Sequence, residues 1–229
     1  RRHQRVLRRP REPQPRGVAL PAQRPMNGRF ITFEGIDGAG KSTHVEWYVE
    51  RLRSRGIDVV QTREPGGSAL AESLRELLLH RTMAMQTELL LMFAARADHL
   101  ERLVRPALSA GQWVVCDRFT DSTYAYQGGG RGASLERIAW LEAWVHGGFQ
   151  PDRSYLFDLA PPLAARRRTS ARAPDRFESE DIAFFERVRQ GYLARVRAEP
   201  ERFVTLDGER AIPEIRVILE EDISELCNT

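Results

Sequence analysis

The chain has 229 residues, 41% of them hydrophobic, enough for one or two domains with a real core. Its formal charge of +3 is unevenly spread: residues 1–25 hold eight arginines against Glu12, a net of +7, which leaves residues 26–229 at −4. A mildly acidic body counts against a nucleic-acid-binding protein, and no apolar run is long enough to cross a membrane.

Residues 1–25 also carry five prolines and show no apolar periodicity, so they read as a disordered tail. Met26 then offers itself as the native start. The alternatives are a targeting segment, or a basic arm touching nucleic acid or a membrane surface. Residues 26–229 are expected to form a single domain, because no second core and no repeat is visible.

Arg29–Glu34 is a short β-prone run. It leads into Gly35-Ile36-Asp37-Gly38-Ala39-Gly40-Lys41-Ser42, which fits G-x-x-x-x-G-K-[ST] at every fixed position. In such a loop the glycines let backbone N–H groups turn inward onto phosphate oxygens. The lysine then bridges the outer phosphates, the Ser42 hydroxyl ligates magnesium, and the next helix adds the positive end of its dipole. Lys41 is the only lysine in the chain; every other cation in the Lys+Arg total of 35 is arginine. A compact ammonium and a wide planar guanidinium are not interchangeable, so this position is one where the fork does not fit.

Val45, Tyr48, Val49 and Leu52 mark one face of a helix that stops at Gly56. A strand over Ile57–Thr62, a turn over Arg63–Gly67 and a helix around Leu70–Leu79 follow. A long helical pattern runs from about Gln86 to Ala110. Trp113–Cys116 is an apolar strand ending in Asp117, an acid placed for the magnesium side of a phosphate-loop enzyme or for a plain helix cap. Arg118 then points into the same crevice, suited to bidentate phosphate binding or to a surface ion pair. A glycine-rich segment with the sequence YQGGGRG leads to a helix over Leu135–Val145. Ser154–Asp158 is a fourth strand, an arginine-rich stretch covers Arg166–Arg176, a helix spans Ile182–Val196, Phe203–Leu206 is a fifth strand, and Pro213 opens the last helix. This alternation predicts an α/β fold with a mostly five-stranded parallel sheet and helices on both faces.

Helical spacing puts Leu89, Phe93, Arg96, Leu100 and Leu103 on one stripe. On spacing alone Phe93 is core and Arg96 snorkels outward; the other reading is an aromatic face and a donor for a nucleotide base. Cys116 and Cys227 form no metal or redox pattern, and unpaired thiols suit a reducing cytoplasm.

Taken in order, FEGIDGAGKST, TREPGG, LLMFAARADHL, CDRF with STYAYQGGGRG, the PD pair at Pro151-Asp152 and DRFE resemble the thymidylate kinases. The resemblance covers residues 28 to about 195. It implies the three-layer phosphate-loop NTPase sandwich with a short arginine-rich lid over about 164–178. It also implies transfer of the ATP γ-phosphoryl group to dTMP with magnesium, in a homodimer. Gly35 to Ser42, with Thr43, would hold the ATP phosphates. Asp37 would meet the 3′-hydroxyl of dTMP, and Arg63, Arg96 and Arg118 its phosphate or base. Phe93 would stack on thymine, against the spacing reading. Thr123 and Gln127 would meet the base edge, and Tyr126 would lie near the sugar. Ser42 and Asp117 would serve the metal, with Glu34 an indirect helper. Some family members carry a basic residue in the loop at the position of Gly38. Here the catalytic arginine would come from the lid, as Arg167, Arg168 or Arg172, beside Lys41 and Arg118. The rivals are another nucleoside monophosphate or deoxynucleoside kinase on this scaffold, and a GTP-driven switch. The switch would need an N-K-x-D element, and the only lysine is already in the loop.

Overall fold

Phe30–Glu34 forms strand β1, and all five of its residues are buried. A strand with no exposed face has to lie inside a sheet covered on both sides. In the computed structural model, which describes residues 28–167 and 176–228, β1 is the central strand. Val59–Arg63 (β2), Trp113–Asp117 (β3), Arg153–Asp158 (β4) and Phe203–Asp207 (β5) complete a sheet of order β2-β3-β1-β4-β5, parallel at every pairing. The chain leaves β1 for β2 on one side, returns through β3, and then places β4 on the other side. Ligand crevices open beyond the carboxyl ends of strands at such a reversal. Phe33 lies opposite Asp117 in the register of β1 with β3, so the loop leaving β1 and the acid closing β3 emerge side by side.

The helices are Lys41–Ser54 (α1), Ala69–His80 (α2), Met85–His99 (α3), Arg105–Ser109 (α4), Thr120–Thr123 (α5), Leu135–His146 (α6), Pro161–Arg167 (α7), Ile182–Ala198 (α8) and Ile212–Asn228 (α9). Successive strand residues point to opposite faces, and the core divides accordingly. Ile31, Phe33, Val115, Tyr155 and Phe157 pack with Val45, Tyr48, Val49 and Leu52 of α1 and Ile215, Leu219 and Ile223 of α9. Phe30, Val114 and Cys116 pack with Leu100, Val104, Ala107 and Leu108 on the other side. The alternation expected from sequence is thus a sheet with helices on both faces.

Three segments differ from expectation. The helix expected over Gln86–Ala110 widens to π-type turns at Leu100–Val104, between α3 and α4. Pro106 lacks an N–H, so the Arg102 carbonyl loses its ordinary donor and the ladder slips by one residue just before it. The glycine-rich run, to which the sequence assigned no element, is helical: Tyr124–Gly130 continues α5 as a wide helix. Its glycines serve a close approach to α8. A Cβ at Gly129 would lie 2.7 Å from the Arg187 carbonyl oxygen, and one at Gly191 2.8 Å from Cα of Ala125. Finally, Arg166 and Arg167 close helix α7 rather than opening a loop. Arg176, at the far end of that arginine-rich stretch, is structural: it reaches Glu88 at 2.6 Å and the Leu78 carbonyl at 2.9 Å.

Candidate active site

Residues 35–40 turn the chain from β1 into α1, and Lys41 is the first residue of that helix. Its Nζ donates to the carbonyls of Gly35 (2.8 Å) and Ile36 (3.1 Å), and the residue is only 6% exposed. Burial lowers its pKa, Arg118 adds repulsion, and Asp37, Asp117 and Glu34 oppose both. The ammonium is therefore folded under the loop, held by backbone oxygens that leave space for a point charge.

Gly38 shows why this loop carries no cation of its own at that position. It sits at φ +90, and a Cβ there would collide with the Ala164 carbonyl oxygen and lie 3.0 Å from its carbon. Both the left-handed backbone and the wall of α7 exclude a side chain. Gly38→Arg is expected to destabilise the protein by roughly 2 kcal/mol, a loss of ~6 °C in thermal midpoint, without raising turnover. A melt unchanged from the parent would show that α7 yields at no cost.

Arg118 follows β3 and is the single non-glycine with positive φ among the described residues, at φ 70. The bend turns its guanidinium back over the loop. Nη2 pairs with Asp37 at 2.7 Å and reaches the Tyr126 hydroxyl at 3.2 Å; Nη1 donates to the Gly35 carbonyl (2.9 Å) and the Tyr192 hydroxyl (2.9 Å). Burial works against ionisation of Asp37, but Arg118 and then Lys41 overcome it and hold the carboxyl well below the usual range. Glu34 shows the opposite balance. Burial, with Asp121 next, pushes its carboxyl up to about 7 despite bonds from Ser122 and Phe119.

A cavity of about 280 Å³ opens beyond the carboxyl ends of β1, β2 and β3. It brings together Asp37, Ser42, Arg63, Arg96, Asp117, Arg118, Thr123, Tyr126 and Gln127, all expected from sequence, with Glu64, Met92, Phe119, Ser122 and Phe177 in addition. Arg63 lies half-exposed at the mouth, paired with Glu72 at 2.9 Å. Arg96 is 3% exposed and does not snorkel. Its Nε pairs with Glu64 (2.7 Å), Nη2 donates to Thr123 (3.0 Å), and Nη1 is buried with no partner among the described residues. Glu64 is in turn fixed by His99 Nδ1 at 2.8 Å. Gln127 donates to Glu88 at 2.8 Å.

Phe93, expected against a base, does not line this cavity. It is 2% exposed and packs with Leu89, Tyr124, Ile138 and Leu141. The apolar wall at that level is Met92. Met92 and Phe93 precede Arg96 by four and three residues, and both spacings share a helical face. Sequence spacing therefore cannot choose between them, and the packing of α6 decides.

Asp117 Oδ1 is buried without a partner among the described residues and shares the cavity with Ser42. No group of three or more His, Cys, Asp or Glu is arranged to hold a metal among the described residues. One carboxylate, one hydroxyl and substrate oxygens suit magnesium, which keeps most of its shell as water and phosphate; the donor set fits that ion. Of the arginines expected in a lid, Arg167 closes α7, donates to the Gly208 carbonyl at 2.6 Å and holds the turn after β5. Arg168 and Arg172 lie outside the described residues, as does the 1–25 tail.

The family model for thymidylate kinase matches residues 33–217. The chain belongs to the thymidylate kinase family. It is 59% identical over 201 residues to a thymidylate kinase of Cupriavidus metallidurans, covering 88% of this chain and 100% of that one. It is 57% identical over 204 residues to one from Burkholderia cenocepacia, covering 87% and 99%. It also resembles the crystal structure of thymidylate kinase from Ehrlichia chaffeensis, with a TM-score of 0.69 and 33% identity over 87% of this chain and 98% of that chain. The fold expected of this family, a phosphate loop under a five-stranded parallel sheet, is the one described above.

Proposed function

We propose that this chain transfers the γ-phosphoryl group of ATP to dTMP, giving dTDP and ADP. One observation carries the reading: a single cavity joins the phosphate loop to a chamber holding the buried Nη1 of Arg96, which has no partner among the described residues. A buried cationic donor without an acceptor is costly, and a base carbonyl would supply that acceptor.

The loop from Gly35 to Thr43, with Lys41, binds the donor phosphates. Ser42 and Asp117 hold magnesium, which offsets phosphate charge when bound. Arg118 and Arg63 take the acceptor phosphate, and Asp37 the 3′-hydroxyl. Arg96, Thr123 and Gln127 meet the base edge, Met92 rather than Phe93 covers its face, and Tyr126 borders the sugar. Phosphoryl transfer needs alignment and charge neutralisation more than covalent help. An attacking phosphate oxygen is already ionised, so no general base is required. With Arg167 committed to Gly208, the lid cation acting on the transferring group is Arg168 or Arg172.

The protein works as a homodimer in the cytoplasm. Trp140 and Trp144 on α6 are 65% and 73% exposed, with rings 5.7 Å apart, and Leu90 is exposed on α3, which packs against α6. A second copy would cover that face. Both cysteines are free thiols, and no described helix is long and apolar enough to cross a membrane.

Coupled ADP release with ATP and magnesium, against dTMP, dUMP, dCMP, dGMP, AMP and thymidine, tests the function. We expect strong preference for dTMP, about 10- to 100-fold over dUMP, since one methyl in an apolar pocket supplies no more. Preference for another acceptor would discard the base-chamber roles.

A further inference from the structure

Glu34 is the last residue of β1, fully buried, and touches none of the groups assigned to a substrate. Its two carboxylate oxygens are both used as acceptors. The Phe119 N–H donates to Oε1 at 2.7 Å, and the Ser122 hydroxyl donates to Oε2 at 2.6 Å. Both donors follow Arg118 in the chain, one directly after it and one a helical turn later.

Arg118 needs such support. An L residue at φ 70 is held against a preference of about 1–2 kcal/mol for other backbone regions. Anchoring the next N–H on a buried carboxylate fixes that bend from behind. The side chain is steadied by the same group through a directed relay. Arg118 Nη1 lies 2.9 Å from the Tyr192 hydroxyl and 3.3 Å from Ser122 Oγ, and those two oxygens are 2.7 Å apart. A guanidinium only donates. Its two Nη1 protons serve the Gly35 carbonyl and the Tyr192 hydroxyl, with Ser122 Oγ a longer, shared contact; the Tyr192 proton then turns to Ser122, and the Ser122 proton turns to Glu34. Every hydroxyl in the relay is oriented away from the cation because the chain ends on an acceptor.

We propose that Glu34 is the positioning residue for Arg118, setting both its left-handed backbone and the orientation of the hydroxyls around its guanidinium. The inference rests on the reading above that Arg118 meets the acceptor phosphate. Tyr192 comes from α8, on the far side of the arginine-rich segment, so the relay also ties that helix to the acceptor end of the site.

Glu34→Gln keeps size and shape but leaves one acceptor oxygen in place of two. If that oxygen serves the Phe119 N–H, the amide must donate to Ser122, and the relay reverses toward the cation. Dissociation constants for dTMP and for thymidine, measured by calorimetry at pH 8, separate the roles. The expected result is dTMP binding weakened on the order of tenfold in Glu34→Gln, with thymidine binding unchanged. Ser122→Ala, which cuts only the relay, should weaken dTMP binding less and in the same direction. Combined with Arg118→Ala, Glu34→Gln should add little to the loss caused by Arg118→Ala alone. Equal loss for dTMP and thymidine, full additivity with Arg118→Ala, or unchanged dTMP binding in Glu34→Gln would overturn the proposal. A parent protein that fails to bind dTMP would instead overturn the function it rests on. Should Glu34→Gln not fold, Ser122→Ala and Tyr192→Phe carry the same comparison.

Discussion

Lys41→Arg is expected to fold like the parent and to lose turnover by about 10²-fold or more, the scale of removing one well-placed charge donor. Arginine keeps the positive charge, so this variant separates charge from shape. The ammonium occupies a nearly closed space under the loop, against the carbonyls of Gly35 and Ile36. A guanidinium is planar and several atoms wide, and it would have to displace that backbone or swing out of the loop. In either position the curl of N–H groups is spoiled. The measurement is kcat and KM for ATP beside a thermal melt. Full activity would show that the chain's only lysine is there by accident.

Arg118→Ala is expected to cost about 10³-fold in kcat/KM for dTMP and roughly 1–3 kcal/mol of stability. The two losses have different origins. The catalytic loss is that of the cation we propose for the acceptor phosphate. The stability loss comes from what the guanidinium leaves behind: Asp37 without its ion pair, and Tyr192, Tyr126 and the Gly35 carbonyl without their donor. Asp37, now held low by Arg118, should then titrate nearer the ordinary carboxylate range. The stability it contributes above that range depends on the shift, so acid sensitivity between the lowered and ordinary values should diminish in the variant. Unchanged dTMP kinetics would remove Arg118 from the site.

The sequence carried the phosphate loop and the five strands because both depend on local signals: fixed glycine spacing, and apolar runs closed by turn residues. It carried Asp117 and Arg118 for the same reason, as strand-end residues. Choices that depend on a second element were not legible. Met92 and Phe93 differ only in which of them meets α6 and the wide helix at Tyr124–Gly130. The three glycines of that helix gave no sign of one, since nothing local says that the backbone of α8 lies against them. Glu34 looked like a neighbour of the loop, yet its partners are 85 and 88 residues away in the chain. Arg96 read as surface because Glu64, which makes its burial affordable, comes from another strand's end.

The contact between Gly38 and Ala164 also bears on how this enzyme can change over time. A cation placed in the loop and one brought from a lid look interchangeable on paper. Here the two solutions compete for one volume: α7, which ends at the arginine-rich stretch expected to form the lid, fills the space that a loop side chain would need. Passing from one arrangement to the other by single steps crosses an intermediate with a clash or with no cation at all. On the proposed reading of a lid cation, the mode of charge supply is locked by packing, and a lineage can exchange it only by moving the helix and the residue together.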